Sequence, residues 1–239
     1  MKQPPLLYAP EAVATDALPP QEAHHALRVL RLQRGDAVVL VDGNGGVHQA
    51  RLTEVTPHTC RYTIKESRLW QKPWAGHIHL AIAPTKNSDR MEWLVEKVTE
   101  LGIDELTPLL THCSERKTLR LDRLTNIAIS AMKQSLKGTL PRINPLTPFC
   151  DFIATARADE AFICHCHDQG ERLDLRRAGP APQGSSLLVM VGPEGDFTLE
   201  EVEAARSKGF HPASLGECRL RTETAGIVAV QLMHLMNLL

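Results

Sequence analysis

Two glycine-bearing segments carry the residue types from which a small-molecule site could be built. In Leu187–Phe197, LLVMVGPEGDF, a fully apolar run ends abruptly at Gly192-Pro193-Glu194-Gly195. Such a run reads as a buried strand of a parallel sheet. Ligands gather at the carboxyl ends of such strands, where glycines let backbone amides approach them closely. A plain strand-to-helix turn would have the same spacing. The loop matches neither G-x-x-x-x-G-K-[ST] nor G-x-G-x-x-G, so neither a nucleoside triphosphate nor a dinucleotide is indicated. In Leu215–Thr224, LGECRLRTET, a short run again meets a glycine, Gly216, and leads through Arg219 and Arg221 into a helix start at Thr222 and Thr224. Two strand ends of this kind could close around one small molecule, although Thr222 alone reads as an ordinary helix cap.

Other side chains suggest other chemistry. From Cys113 to Arg142, seven basic residues face two acidic ones, Glu115 and Asp122. That balance suits phosphate contacts, and a solvated helix face would show it too. Lys86 and Arg90 would join this surface if the sheet brings them together. Cys164-His165-Cys166-His167 offers thiolates and imidazoles, both zinc ligands. Alternation along a strand would send its side chains to opposite faces, and no second cluster accompanies it, so no metal is expected. His24-His25 reads as an exposed or RNA-facing pair. Cys218 beside Arg219 is a weak nucleophile candidate.

The elements that must position these residues fall into two groups. Ala37–Asp42, Val47–Val55 and Thr59–Lys65 read as strands around a Gly43-Asn44-Gly45-Gly46 turn, the pattern of a small β-barrel. WQKPWAG, residues 70–76, breaks the pattern and places the boundary between a domain over 1–72 and one over 73–239. Beyond it, strands at His77–Ala83, Leu106–Leu110, Ala161–Cys164, Ser186–Val191 and Ala213–Leu215 alternate with helices at Asp89–Leu101, Asp122–Leu136, Thr198–Lys208 and Thr222–Leu238. This is the order of an α/β fold with a parallel sheet. Asp89 with Glu92, and Thr198 with Glu201, are spaced as capping boxes, and Gly102 closes the first of these helices.

Composition limits the function classes. The chain has 239 residues, 43% of them hydrophobic, and a formal net charge of -1, so any nucleic-acid surface is local. Six scattered cysteines and an N-terminus with no apolar run behind a basic start point to a reducing cytoplasm. The apolar run from Ala225 to Leu239 is interrupted by Gln231, His234 and Asn237, so no membrane span is expected.

Taken in order, Lys86, Arg90-Met91-Glu92, Glu96-Lys97, Glu100-Leu101-Gly102, Gln134-Ser135 with Pro141, Gly192-Pro193-Glu194-Gly195, and Leu215-Gly216 followed by Leu220-Arg221-Thr222-Glu223-Thr224-Ala225 resemble the bacterial RsmE family. Its members are 16S ribosomal RNA uridine N3-methyltransferases of the SPOUT superfamily. His25, Val29-Leu30-Arg31 and Gly35-Asp36 are similar to its N-terminal, PUA-like RNA-binding domain. The resemblance implies a C-terminal SPOUT domain with a trefoil knot, which ordinary connection rules would exclude. It also implies a homodimer with active sites at the subunit interface, S-adenosylmethionine as cofactor, and 16S ribosomal RNA of the small subunit as partner.

By the same resemblance, Gly192, Glu194, Gly195, Leu215, Gly216, Leu220 and Thr224 surround the cofactor. Arg90, Gln134 and Arg221 handle the target nucleotide. Arg28, Arg31, Lys86, Lys133 and Lys137 join Gln134 on the RNA side. Asp196 stands where a second glycine is common, Lys137 where Arg usually follows Gln-Ser, and Cys218-Arg219 where Arg then an apolar residue is usual. A methyl transfer to uridine N3 needs loss of its proton. Arg90 or Arg221 could stabilise the anion, because guanidinium keeps its own proton. Glu223 could act as base or could anchor the last helix through its dipole. The opposing readings are a SPOUT methyltransferase acting on another RNA and a non-catalytic RNA-binding assembly factor. Intact Gly192, Gly195 and Gly216 favour the enzyme.

Overall fold

A computed structural model describes residues 4–57, 59–168 and 170–238, and the chain divides into two compact units. The first is built from residues up to Lys72 and from Ile129–Leu140. The second is built from Pro73–Ala128 and from Pro141 onward.

In the first unit, β1 (Leu6–Tyr8) precedes α1 (Pro20–His24), β2 (Ala37–Val41), β3 (Gly46–Val55) and β4 (Cys60–Leu69). The strands pair in chain order, β1 parallel to β2 and the other neighbours antiparallel. Gly43 and Gly45 take φ of 82° and 103° in the β2–β3 turn. There Asp42 Oδ1 accepts from the amides of Asn44 at 2.7 Å and Gly46 at 2.8 Å. Between β1 and α1 the chain reaches the opposite edge of the sheet, where Ala17 bridges Arg61 and the Leu18 amide donates to Cys60 O at 2.9 Å. One segment thus bonds both edges, and the sheet curls around Leu7, Leu18, Ala26, Leu40, Leu52 and Tyr62.

α1 passes directly into a π-helical turn over His25–Val29. β4 runs to Leu69 rather than Lys65, with irregular register against β3. Residues 129–140 pack here because Met132 and Leu140 meet Val41, Val47 and Trp70, while Gly138 O accepts from Gly45 N at 3.0 Å.

The second unit contains β5 (His77–Ile82), α2 (Ser88–Leu101), β6 (Glu105–Leu110), the start of α3 (Leu121–Gln134), β7 (Arg142–Ile143), β8 (Thr147–Pro148), α4 (Phe149–Thr155), β9 (Glu160–Cys164), β10 (Leu173–Asp174), β11 (Ser186–Val191), α5 (Leu199–Ser207), β12 (His211–Ser214) and α6 (Thr222–Leu238). Its sheet is parallel throughout, in the order β10-β12-β9-β11-β5-β6-β7, with β8 also on β6. Both faces are covered, as a parallel sheet requires. Leu188 and Met190 of β11 pack with Phe149, Phe152, Phe197 and Val202 on one face. On the other lie α2 and α6, and at Gly226 an added Cβ would stand 2.8 Å from Ile82 Cδ1 and 2.9 Å from Leu94 Cδ1.

The Thr198–Glu201 capping box forms at the start of α5. α2 is capped differently from expectation. Asn87 is its N-cap, accepting from the Asp89 amide at 2.9 Å. Glu92 is drawn instead to Arg123, whose Nη2 donates to it at 2.7 Å.

Gly102 ends α2 at φ 109°, beneath the Trp74 ring. Its carbonyl accepts from His234 Nε2 at 2.7 Å, and Trp74 Nε1 donates to Asp104 at 3.0 Å. A Cβ on Gly102 would fall 2.6 Å from that ring, whereas one on Gly179 would meet nothing within 4 Å. Gly102→Ala should therefore lower the unfolding free energy by about 1–3 kcal/mol. Gly179→Ala should leave urea unfolding unchanged, and equal midpoints for the two variants would contradict this account of the α2 terminus.

Candidate functional site

Because β11 neighbours β9 and β9 neighbours β12, their carboxyl ends lie side by side. They open into a cavity of about 670 Å³, a volume suited to a nucleoside-sized ligand. β9 contributes the residues from Cys164, β11 those from Val191, and β12 those from Ser214. Arg90 of α2 and the first turn of α6 complete the wall. β9 and β11 are largely apolar because helices cover both faces of the sheet, so their polar groups enter the cavity only where the strands stop.

The loops are held by short-range bonds. Glu194 accepts from the Lys86 amide at 3.1 Å, and Arg116 Nη2 donates to Lys86 O at 2.7 Å, fixing the chain between β5 and α2. Asp196 adopts φ 63°. This is the left-handed region, which explains why glycine is common there and why Asp, with its short hydrogen-bonding side chain, tolerates it. Gly216 sits at φ 120° with the Arg176 guanidinium 2.9 Å from where a Cβ would be. Arg176 in turn is bonded to Asp174, Nη2 to Oδ2 at 2.7 Å.

Of the residues expected at the cofactor, Gly192, Glu194, Leu215, Gly216 and Leu220 line the cavity, while Gly195 and Thr224 lie outside its wall. Gly195 is exposed, and a Cβ there would press on Cys113 at 3.1 Å. Arg90, Arg221 and Glu223 all line it. Arg90 Nε stands 3.7 Å from Glu223 Oε1, and the Glu223 side chain is only 8% exposed. Of the residues expected on the RNA side, Lys86 is exposed and pairs with Glu115 at 2.8 Å. The others, Arg28, Arg31, Lys133, Gln134 and Lys137, belong to the first unit. Arg28, Arg31 and Gln134 are exposed there, whereas the Lys133 ammonium is paired with Glu22.

The cavity also takes residues that sequence reasoning did not place there: Cys164, His165, Cys166, His167, Asp168 and Arg172. The strand alternation invoked against their convergence ends with β9 at Cys164, and the chain then turns along the cavity wall. Burial pushes the Cys164 thiol up to about 12 and raises that of Cys166 as well. Neither is a thiolate near neutral pH. Burial lowers the His165 imidazole, leaving it neutral. Among the described residues no three metal-binding side chains converge.

Comparison with known proteins gives the site its context. A family model described as an RNA methyltransferase domain matches residues 72–234, and one described as an RNA methyltransferase PUA domain matches residues 18–65. The Ribosomal RNA small subunit methyltransferase E of Synechocystis is 34% identical, over 94% of this chain and 75% of that one. The protein of the same name from Bacillus subtilis is 26% identical over 92% and 90%. A crystal structure described as a probable rRNA-methyltransferase from Porphyromonas gingivalis superposes with a TM-score of 0.91 at 44% identity, over 98% of both chains. The Neisseria gonorrhoeae Ribosomal RNA small subunit methyltransferase E, bound to S-adenosyl methionine, gives 0.85 at 28% identity over 98% of both. With its parallel sheet, its two glycine loops on one cavity and a PUA domain ahead of them, this chain belongs to the ribosomal RNA small subunit methyltransferase E family.

Proposed function

We propose that the protein is an S-adenosylmethionine-dependent methyltransferase that methylates N3 of a uridine in the 16S ribosomal RNA of the small subunit. One observation carries this reading beyond the family name: both glycine loops, Arg90 and Arg221 meet in a single cavity at the carboxyl ends of the sheet. The site's chemistry suits the cofactor. A sulfonium cation would meet a neutral imidazole at His165 and protonated thiols at Cys164 and Cys166, because burial lowers the first and raises the other two. Gly192, Leu215, Gly216 and Leu220 would hold it. When bound, S-adenosylmethionine supplies an electrophilic methyl group, so the protein's task is to bring the nucleophile into line with it within about 3–3.5 Å.

Uridine N3 must lose its proton, to solvent water, for its electron pair to attack. The negative charge then spreads onto the base carbonyl oxygens. Arg90 and Arg221 offer guanidinium donors to those oxygens and keep their own protons. Arg221 is exposed and, among the described residues, its side chain has no hydrogen-bond or ion-pair partner, so its donors are available at the cavity mouth. Glu223, in the first turn of α6, lies where the helix dipole favours a carboxylate. With Arg90 at 3.7 Å, its role is to hold that guanidinium at the wall. Arg28, Arg31 and Gln134 of the first unit, with Lys137 and Lys86, would engage phosphates of the RNA.

The reading includes a trefoil knot in the second unit. It is supported by family membership and by the sheet order, in which the chain leaves β11, crosses beyond β9 to form β12, and returns as α6 to β5 and β11. It includes a cytoplasmic homodimer. No described helix is long and apolar enough to cross a membrane, and Trp93 of α2 and Leu235 of α6 stand 46% and 45% exposed, as an apolar interface would need. Sedimentation should give twice the 26.5 kDa chain mass. Trp93→Asp with Leu235→Asp should restore the single mass, and a wild-type monomer would overturn the dimer.

Incubation with labelled S-adenosylmethionine and small ribosomal subunits lacking the modification should yield N3-methyluridine, identified by mass spectrometry. A different methylated nucleoside would overturn the N3 assignment. Arg90→Ala and Arg221→Ala should each lower kcat on the RNA by roughly 10²–10³-fold while leaving cofactor affinity unchanged. Unchanged kcat in both would remove them from the reaction.

A further inference from the structure

His165 presents an anomaly that the methyl transfer itself does not use. It follows the last residue of β9, is 5% exposed, and both of its ring nitrogens are buried with no hydrogen-bond partner. Buried polar atoms are nearly always bonded, and one left unbonded destabilises the protein that contains it. The backbone here is well held. The His165 amide donates to Ala213 O at 3.3 Å, and its carbonyl accepts from Arg172 Nη1 at 2.6 Å. The ring packs against His167 with centroids 5.4 Å apart. It is therefore a fixed imidazole on the cavity wall whose two polar atoms are unused by the protein.

A neutral imidazole offers one N–H donor and one acceptor. That pair matches a neutral group that both donates and accepts, not a carboxylate or an ammonium, which would find charged partners in Arg172 or Glu194 at the same wall. S-adenosylmethionine has both kinds of group. Its amino-acid half is zwitterionic. Its adenosine half is neutral, with ribose hydroxyls and a purine edge that donate and accept. Cys164, the last residue of β9, and Val191, paired with it at the end of β11, are buried and uncharged at that part of the wall, which suits the neutral half.

We infer that His165 hydrogen-bonds the adenosine half of the cofactor and is a specificity-determining residue of its site. The inference rests on the cofactor reading above. Without the cofactor the side chain weakens the fold, and with it the side chain strengthens binding.

Those opposite effects give the test. His165→Phe keeps ring bulk and removes both polar atoms. His165→Gln keeps a neutral donor and acceptor. Calorimetric titration with S-adenosylmethionine, together with thermal melting of the cofactor-free protein, should show His165→Phe binding at least roughly tenfold more weakly than wild type. Its cofactor-free melting temperature should be equal or higher. His165→Gln should recover part of the affinity. In protein carrying ¹⁵N-histidine, the His165 ring resonances should shift on adding the cofactor. Equal binding by wild type and His165→Phe overturns this inference and leaves the cofactor reading standing. A lower melting temperature for His165→Phe, with affinity unchanged, would make the residue purely structural. Failure of the wild type to bind overturns the cofactor reading and this inference with it.

Discussion

Asp196 occupies a left-handed conformation at φ 63°, which a non-glycine residue adopts at a cost unless its side chain bonds locally. Both carboxylate oxygens are bonded, Oδ1 by the Phe197 amide at 2.8 Å and Oδ2 by the Cys166 amide at 2.7 Å. The first bond shapes the loop after β11. The second joins that loop to the chain leaving β9. His167 adds a third tie, its Nε2 donating to Phe197 O at 2.7 Å, and Phe197 is itself buried in the core beneath. Two strand ends that would otherwise be independent loops are thereby made one wall. The cavity exists because they stay together.

The rest of the site follows from that wall. Gly192 and the residues after Cys164 take their places relative to each other through Asp196. β12 is registered on β9, with His211 opposite Phe162 and Ala213 opposite Cys164, which brings Leu215 and Gly216 to the same opening. α6 then starts at the cavity and packs back over β5 and β11, closely enough that Gly226 has no room for a side chain without displacing Ile82 or Leu94. Its first turn carries Glu223 to Arg90, a residue of α2, so the arginine at the cavity edge is held by a helix anchored in the core. Positioning of this kind, in which rigid elements aim charged donors, is what the proposed methyl transfer to a uridine ring nitrogen would demand.

Much of this was legible in the residues. The uninterrupted run Leu187–Val191 reads as a buried parallel strand because no polar alternation is present, and Thr198 with Glu201 marks the start of α5 by a chemistry local to four residues. Gly102 does close α2, at positive φ. Less legible was whatever depends on distant packing. Asn87 rather than Asp89 caps α2, because Glu92 is drawn away to Arg123, more than thirty residues along the chain. α4, at Phe149–Thr155, has only seven residues and too little periodicity to announce itself. Residues 129–140 pack with the first unit through Met132, Gly138 and Leu140, a partnership that no linear reading supplies. At Cys164–His167 the strand ends at Cys164, so alternation does not govern the residues after it, and these form a side of the cavity.

The central claim is that the three joined strand ends form the cofactor site. A crystal structure of the protein grown with S-adenosylhomocysteine, the demethylated product, tests it most directly. The account predicts density for the nucleoside against Gly192, Leu215 and Gly216, with the former sulfonium position turned toward Arg90 and Arg221. Density for the ligand elsewhere on the chain, with this cavity filled only by solvent, would contradict it.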